Sequence, residues 1–201
     1  MSLSISRSAA ATAFSIALAL LAAGPALAHT GEGVSGGFIS GLYHPVFGLD
    51  HVVAMVGVGL WGAVLGAPAL WILPIVFPLV MALGAALGIA GITVPFIEPG
   101  IALSGVVLGL LILFLVRLPL VAAAILVGFF AIFHGYAHGT ELPTAANPLA
   151  YAVGFVISTG ILHAIGIAFG ALMGSNIGKV AVRAGGVIIA LIGGAFLAGI
   201  A

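Results

Sequence analysis

Residues 119–143 read PLVAAAILVGFFAIFHGYAHGTELP, and the reading of this stretch decides the fold. From Pro119 to Gly139 it has the roughly 20 residues that a helix needs to cross a hydrocarbon layer, and no Asp, Glu, Lys or Arg occurs before Glu141. His134 and His138 sit at i and i+4, so both imidazoles project from one helical face, about 6 Å apart at the backbone. The segment reads as a transmembrane helix that carries ligand-type side chains near one end.

The rest of the chain has the same character. Of 201 residues only 4% are charged and 64% are apolar, and the mean hydropathy is +1.46. A soluble helical protein would carry about 25% charge. No hydrophilic stretch is long enough for a soluble domain, so the expected fold is all-α, a polytopic membrane helix bundle whose surroundings are the lipid bilayer. A formal net charge of zero and the lack of any basic run exclude nucleic-acid binding and electrostatic attachment to headgroups. The chain has no cysteine, so disulfides and thiolate metal sites are excluded.

Hydropathy and breakers divide the chain into six spans, at roughly 42–66, 69–91, 98–115, 119–139, 148–172 and 180–200. The connectors carry the punctuation: Gly66-Ala67-Pro68, Thr93-Val94-Pro95, Leu118-Pro119, Pro143 to Pro148, and Gly174-Ser175-Asn176. Pro45 and Pro119 suit the first turn of a helix, where no intrahelical donor is lost, whereas Pro74 and Pro78 fall inside the second span. Gly62/Gly66, Gly84/Gly88, Gly105/Gly109 and Gly166/Gly170 are pairs of small residues four apart, which let helix backbones approach closely in lipid. The abundance of Gly and Ala in membrane helices by itself accounts for most such pairs, and no internal repeat is visible.

The first 28 residues read as a cleavable signal peptide. Arg7 supplies the positive end, Ala9 to Leu21 the apolar stretch, and Gly24-Pro25-Ala26-Leu27-Ala28 a helix break followed by an A-x-A cleavage pattern. A single membrane domain over residues 29–201 follows, with its mature N-terminus on the periplasmic side of a bacterial inner membrane. His29-Thr30-Gly31-Glu32-Gly33 is then a short leader. Arg117 falls in the third connector and Lys179 in the fifth, with Arg183 just beyond, so every mature basic residue lies on the cytoplasmic side.

Seven polar side chains in this hydrocarbon cost several kcal/mol each to bury unless they have partners or a function. Three stretches hold them. His44-Pro45-Val46-Phe47-Gly48-Leu49-Asp50-His51 opens the first span. In a continuous helix His44 and His51 would stand about 10 Å apart, too far for one ion, so they either mark successive stops or Pro45 and Gly48 let the segment unwind around one site. Met55, one turn further, reads as a core side chain before a thioether ligand. The second stretch holds His134, His138 and, at the outer rim, Glu141. The third holds His163, in Ser158-Thr159-Gly160-Ile161-Leu162-His163, about 20 Å down the fifth span. In depth they form a series, with His44, His138 and Glu141 near the mouth, Asp50, His51 and His134 below, and His163 deepest.

Neutral imidazole with carboxylate suits borderline divalent ions such as nickel, cobalt, zinc or copper(II), and not the oxygen-seeking calcium or magnesium. No Gly-rich nucleotide loop is present, so ATP does not drive transport from within this chain. Two other readings use the same residues: a proton relay or sensor subunit, and an intramembrane zinc enzyme, which would activate water but has no HExxH motif.

At these stretches the sequence resembles the HupE/UreJ family of nickel/cobalt permeases. The pattern HPxxGxDH is met by His44, Pro45, Gly48, Asp50 and His51. The second family block is similar to His134-Gly135-Tyr136-Ala137-His138-Gly139 followed by Glu141, and the family's fifth-span histidine corresponds to His163. The resemblance covers the whole chain. It implies secondary transport of Ni²⁺ or Co²⁺ toward the cytoplasm as substrate, with no permanently bound cofactor and no enzymatic activity, and a link to hydrogenase or urease maturation. The expected metal ligands are His44, Asp50, His51, His134, His138, Glu141 and His163.

Overall fold

Seven α-helices account for nearly all of the described residues: α1 Val34–Phe47, α2 Leu49–Leu65, α3 Ala69–Ile89, α4 Ile97–Leu113, α5 Leu120–Thr140, α6 Pro148–Gly170 and α7 Asn176–Leu197. A 3₁₀ turn, Ala171–Gly174, joins the last two. The computed structural model describes residues 34–140 and 147–200, which fall in one compact unit, and no strand occurs among them. The expected leader over residues 1–28, His29 and the rim carboxylate Glu141 lie outside the described residues.

Local chemistry explains the helix boundaries. Asn147 caps α6 by accepting from the Ala150 N–H at 3.0 Å, with Pro148 in the first turn. Ser175 caps α7 by accepting from the Gly178 N–H at 3.0 Å. That cap starts the last helix four residues before the expected position 180, and Lys179 is consequently in its first turn and not in a connector. Pro119 stands at the entrance of α5, as expected, its carbonyl accepting from Ala123 at 3.0 Å. Both Pro74 and Pro78 lie inside the continuous helix α3.

The first expected span, 42–66, is not one helix. It is divided at Gly48 into α1 and α2, which meet at an angle of 82°. Pro45 accordingly lies in the last turn of α1, where the expectation had it in a first turn. Its ring nitrogen has no hydrogen to donate to the Gly41 carbonyl, which weakens the helix just before Gly48 takes up an extended conformation, φ −88°, ψ 104°. The Gly48 carbonyl then accepts from Val52 at 2.9 Å and starts α2.

Four helical segments are long and apolar enough to cross a membrane: Ala69–Ile89, Leu120–Thr140, Pro148–Gly174 and Asn176–Leu197. The bent pair brings the number to five, and Ile97–Leu113 is a shorter apolar helix of 17 residues. The chain is a multi-pass membrane protein. Its exterior is apolar, as the exposed row Trp71, Ile75, Leu79 and Leu83 along α3 shows, and the buried polar side chains among the described residues are His51, Ser104, His134, His138, Ser158, Thr159 and His163.

Glycine governs how the helices meet. α3 packs along α5, α4 along α7, and α6 along both α1 and α2. A Cβ on Gly84 would strike the Ile132 carbonyl of α5, and one on Gly135 the Met81 carbonyl of α3. The same reciprocity joins Gly109 to Gly186 and Ala190 of α7, and Gly166 to Val56 of α2. Three of the four glycine pairs in the sequence are thus sites of close approach, more than composition alone would give. The exception is Gly62/Gly66: Gly66 has φ +82° and open space around it, so it ends α2 in a conformation that favours glycine.

Replacing Gly135 by Ala should therefore destabilise the folded protein by about 1–3 kcal/mol, because the backbone of α3 cannot withdraw without moving the whole helix. Gly160→Ala, where nothing lies within 4 Å of the added Cβ, should leave stability unchanged or slightly raised. Thermal unfolding of the two variants in detergent checks the contrast.

Candidate metal-ion site

The polar side chains come from helix ends that the packing brings together. His44 is in the last turn of α1, Asp50 and His51 are in the first turn of α2, and His134 and His138 are in the last two turns of α5. The imidazoles touch in sequence. His44 and His138 have ring centroids 4.8 Å apart, His138 and His51 4.4 Å, and His51 and His134 4.8 Å. The break at Gly48 accomplishes this, since it lets His44 and His51 both meet His138. The first motif is thus interrupted at Gly48, and its two histidines both lie against His138.

His163 stands apart from the other four. Its backbone carbonyl is where a Cβ on Gly59 would fall, eight residues beyond His51, so it lies about 12 Å further along α2. The ring of Phe77, fully buried in α3, touches both His134, at 5.5 Å between centroids, and His163, at 5.6 Å. Beyond this level, two side chains hydrogen-bond to backbone carbonyls at the C-terminal end of α4. Trp61 Nε1 donates to the Val116 carbonyl at 3.0 Å, and Arg183 Nε donates to the Leu113 carbonyl at 2.8 Å. Arg117 and Arg183 thus mark the end opposite the four-histidine group.

Hydrogen bonds fix which imidazole atoms are available. Asp50 Oδ1 accepts from the His51 backbone N–H at 2.9 Å and lies 2.9 Å from His51 Nδ1. A carboxylate can only accept, so Nδ1 carries the ring hydrogen and the lone pair of neutral His51 is on Nε2. That atom is buried without a hydrogen-bond partner. His134 Nε2 is 2.9 Å from Ser104 Oγ, while its Nδ1 is buried and unpartnered. Both ring nitrogens of His138 and of His163 are in the same condition, as is Thr159 Oγ1, one turn before His163.

An unpartnered buried polar atom costs roughly 1–3 kcal/mol, so imidazole lone pairs left bare along one line are what a site for a soft or borderline cation offers. Among the described residues, however, no three His, Asp or Glu side chains are placed to hold one ion together. The observed arrangement is a series of neighbouring ligands. Met55 is fully buried in the apolar core with Val52 and Val58, and so packs as the sequence indicates.

Ser104, Phe77 and Phe155 were not among the expected site residues. Ser104 is the sole hydroxyl between Glu98 and Arg117, a signal visible in the sequence but without direction until α4 is set against α5. Phe155, with its ring 4.5 Å from that of His138, and Phe77 have no such mark among the twelve phenylalanines of the chain.

The sequence matches the HupE / UreJ protein family over residues 16–196. It is 48% identical, over 176 residues, to Protein HupE of Rhizobium leguminosarum bv. viciae, which covers 87% of this chain and 92% of that protein. No solved structure matches the chain.

Bare imidazole nitrogens predict stabilisation by a metal ion in the purified protein. Ni²⁺ at a hundred times its dissociation constant should add about 2.7 kcal/mol to the folded state, and this gain should vanish in His51→Ala and in His138→Ala. Thermal unfolding with and without Ni²⁺ measures it.

Proposed function

This chain belongs to the HupE/UreJ family, a family associated with nickel and cobalt transport, and from that premise we propose that it is a secondary permease passing Ni²⁺, with Co²⁺ as a competing substrate, into the cytoplasm. The observation that carries the reading is the line of touching imidazoles from His44 through His138 and His51 to His134, continued by Phe77 to His163. A transported ion needs ligands that exchange. Neighbouring pairs of imidazoles bind a borderline dication without enclosing it, so each ligand can be replaced by the next.

In this reading His44, His138 and Glu141 capture the ion at the outer mouth. Asp50, His51 and His134 form the main site, Asp50 acting both as the partner of His51 and as a counter-charge for the dication in a low-dielectric setting. The ion then moves past the Phe77 ring to His163, the innermost ligand. Counting α1 with α2 as one interrupted crossing and α4 as a full one gives six crossings. A cleavable leader over residues 1–28 then places the mature N-terminus in the periplasm and the end bearing Arg117, Lys179 and Arg183 in the cytoplasm, in accord with the positive-inside rule. An inside-negative potential favours entry of a dication by about 4.6 kcal/mol per 100 mV, enough for accumulation without ATP. The nickel so delivered would supply maturation of a nickel enzyme such as hydrogenase or urease.

The test is ⁶³Ni²⁺ uptake into proteoliposomes held inside-negative. Wild-type uptake should saturate and be competed by Co²⁺. It should fall at least tenfold in His51→Ala, while Ile125→Ala, on the exposed face of α5, should transport normally. Folded protein that moves protons but no nickel would replace this reading with a proton relay built on the same imidazoles.

A further inference from the structure

Ser104 is completely buried in the middle of the α4 sequence, and its hydroxyl has two neighbours. Oγ lies 2.6 Å from the Ile101 carbonyl oxygen, one turn earlier, and 2.9 Å from His134 Nε2. A hydroxyl has one hydrogen and two lone pairs. Two oxygens at 2.6 Å with no hydrogen between them would set lone pair against lone pair, so the hydroxyl hydrogen goes to Ile101. Toward His134, Ser104 can then only accept. His134 Nε2 must therefore carry the hydrogen of the neutral ring, and the lone pair is on Nδ1, the nitrogen that has no protein partner. The opposite tautomer would place an acceptor against an acceptor and leave a buried N–H unused.

We propose that Ser104 is a positioning residue that holds His134 in the Nε2–H tautomer and so makes Nδ1 its metal-binding atom. What binds at Nδ1 rests on the permease reading given above; the tautomer does not. Asp50 does the converse for His51, holding the hydrogen on Nδ1 and leaving Nε2 as donor atom. Two histidines in ring contact, at 4.8 Å and 88° to each other, thus present different nitrogens, each set by a partner on the far side of its ring. The two partners differ in charge. Asp50 adds a negative charge beside its histidine, whereas Ser104 adds none and relays the bond to the backbone of α4. Hydrogen-bond partners behind metal-binding histidines are worth roughly 10–100-fold in metal affinity.

The experiment is ¹⁵N NMR of histidine-labelled, metal-free protein in micelles, with His134→Gln identifying the resonance, together with optical titration by Co²⁺. In the wild type the His134 hydrogen should be on Nε2. Ser104→Ala should lose this tautomer preference and bind Co²⁺ at least tenfold more weakly, and Ser104→Thr, which keeps the hydroxyl, should retain both properties. A merely structural serine would lower thermal stability on substitution but move neither the tautomer nor the affinity. Wild-type His134 with its hydrogen on Nδ1, or unchanged Co²⁺ affinity in Ser104→Ala, would overturn the proposal. Failure of the permease reading looks different: Co²⁺ bound at His134 Nδ1 in protein that moves no nickel would remove transport and leave the role of Ser104 standing.

Discussion

Close approach of helix backbones at glycine is the constraint on which the rest of this structure depends. Lipid tails are as apolar as leucine, so no hydrophobic force presses membrane helices together, and association rests on contact area and weak polar bonds. Here the contact is backbone to backbone. Gly84 and Gly135 seat α3 and α5 on each other, which brings the Phe77 ring of α3 against His134 of α5. Gly41 and Gly154 bring α1 and α6 together, which sets His44 beside Tyr151 and Phe155. Gly59 meets the carbonyl of His163 itself and so registers the deepest histidine against α2. The packing residues and the polar residues alternate along the same helices, and the first determine where the second can meet.

The interrupted first span shows the other half of the design. A continuous helix would hold His44 and His51 about 10 Å apart, whereas the break lets both rings reach His138. Pro45 withholds a backbone donor, Gly48 accepts an extended conformation, and Asp50 in the new first turn receives two hydrogen bonds from His51. A carboxylate in the first turn is also well placed against the positive end of the α2 dipole. Each member of the HPxxGxDH pattern has a physical task here, and the tasks concern backbone direction as much as ligand chemistry.

The bundle interior is polar along one line and hydrocarbon elsewhere, around a chain whose outer surface is apolar. The two best-defined imidazoles are held from behind, by Asp50 and by Ser104, which leaves a single acceptor nitrogen on each. His138 and His163 have no hydrogen-bond partner from the described protein at either ring nitrogen. The proposed pathway uses this gradation: firmly held ligands at the main site and less constrained ones on either side, so that the ion is specified at the middle and released at both ends.

Hydropathy by itself determined the helical class and the membrane setting, because a run of about 20 apolar residues without charge has one favourable environment. It also placed α3, α4, α5 and α6 within a few residues of their observed limits, since Gly and Pro at the connectors act locally. Five histidines and Asp50 in so apolar a chain stood out for the same reason: polar atoms are costly there, and few are kept without use. What the sequence could not decide is whatever depends on two segments meeting. Pro45 and Gly48 make a break possible, but that both His44 and His51 then lie against His138 is visible only once α5 is docked. Ser104 and Phe77 had no visible direction until α4 and α3 were docked against α5. Which nitrogen of His134 is left bare is likewise a tertiary fact, because a tautomer is selected by the partner across the helix interface and nothing in the local chain distinguishes Nδ1 from Nε2.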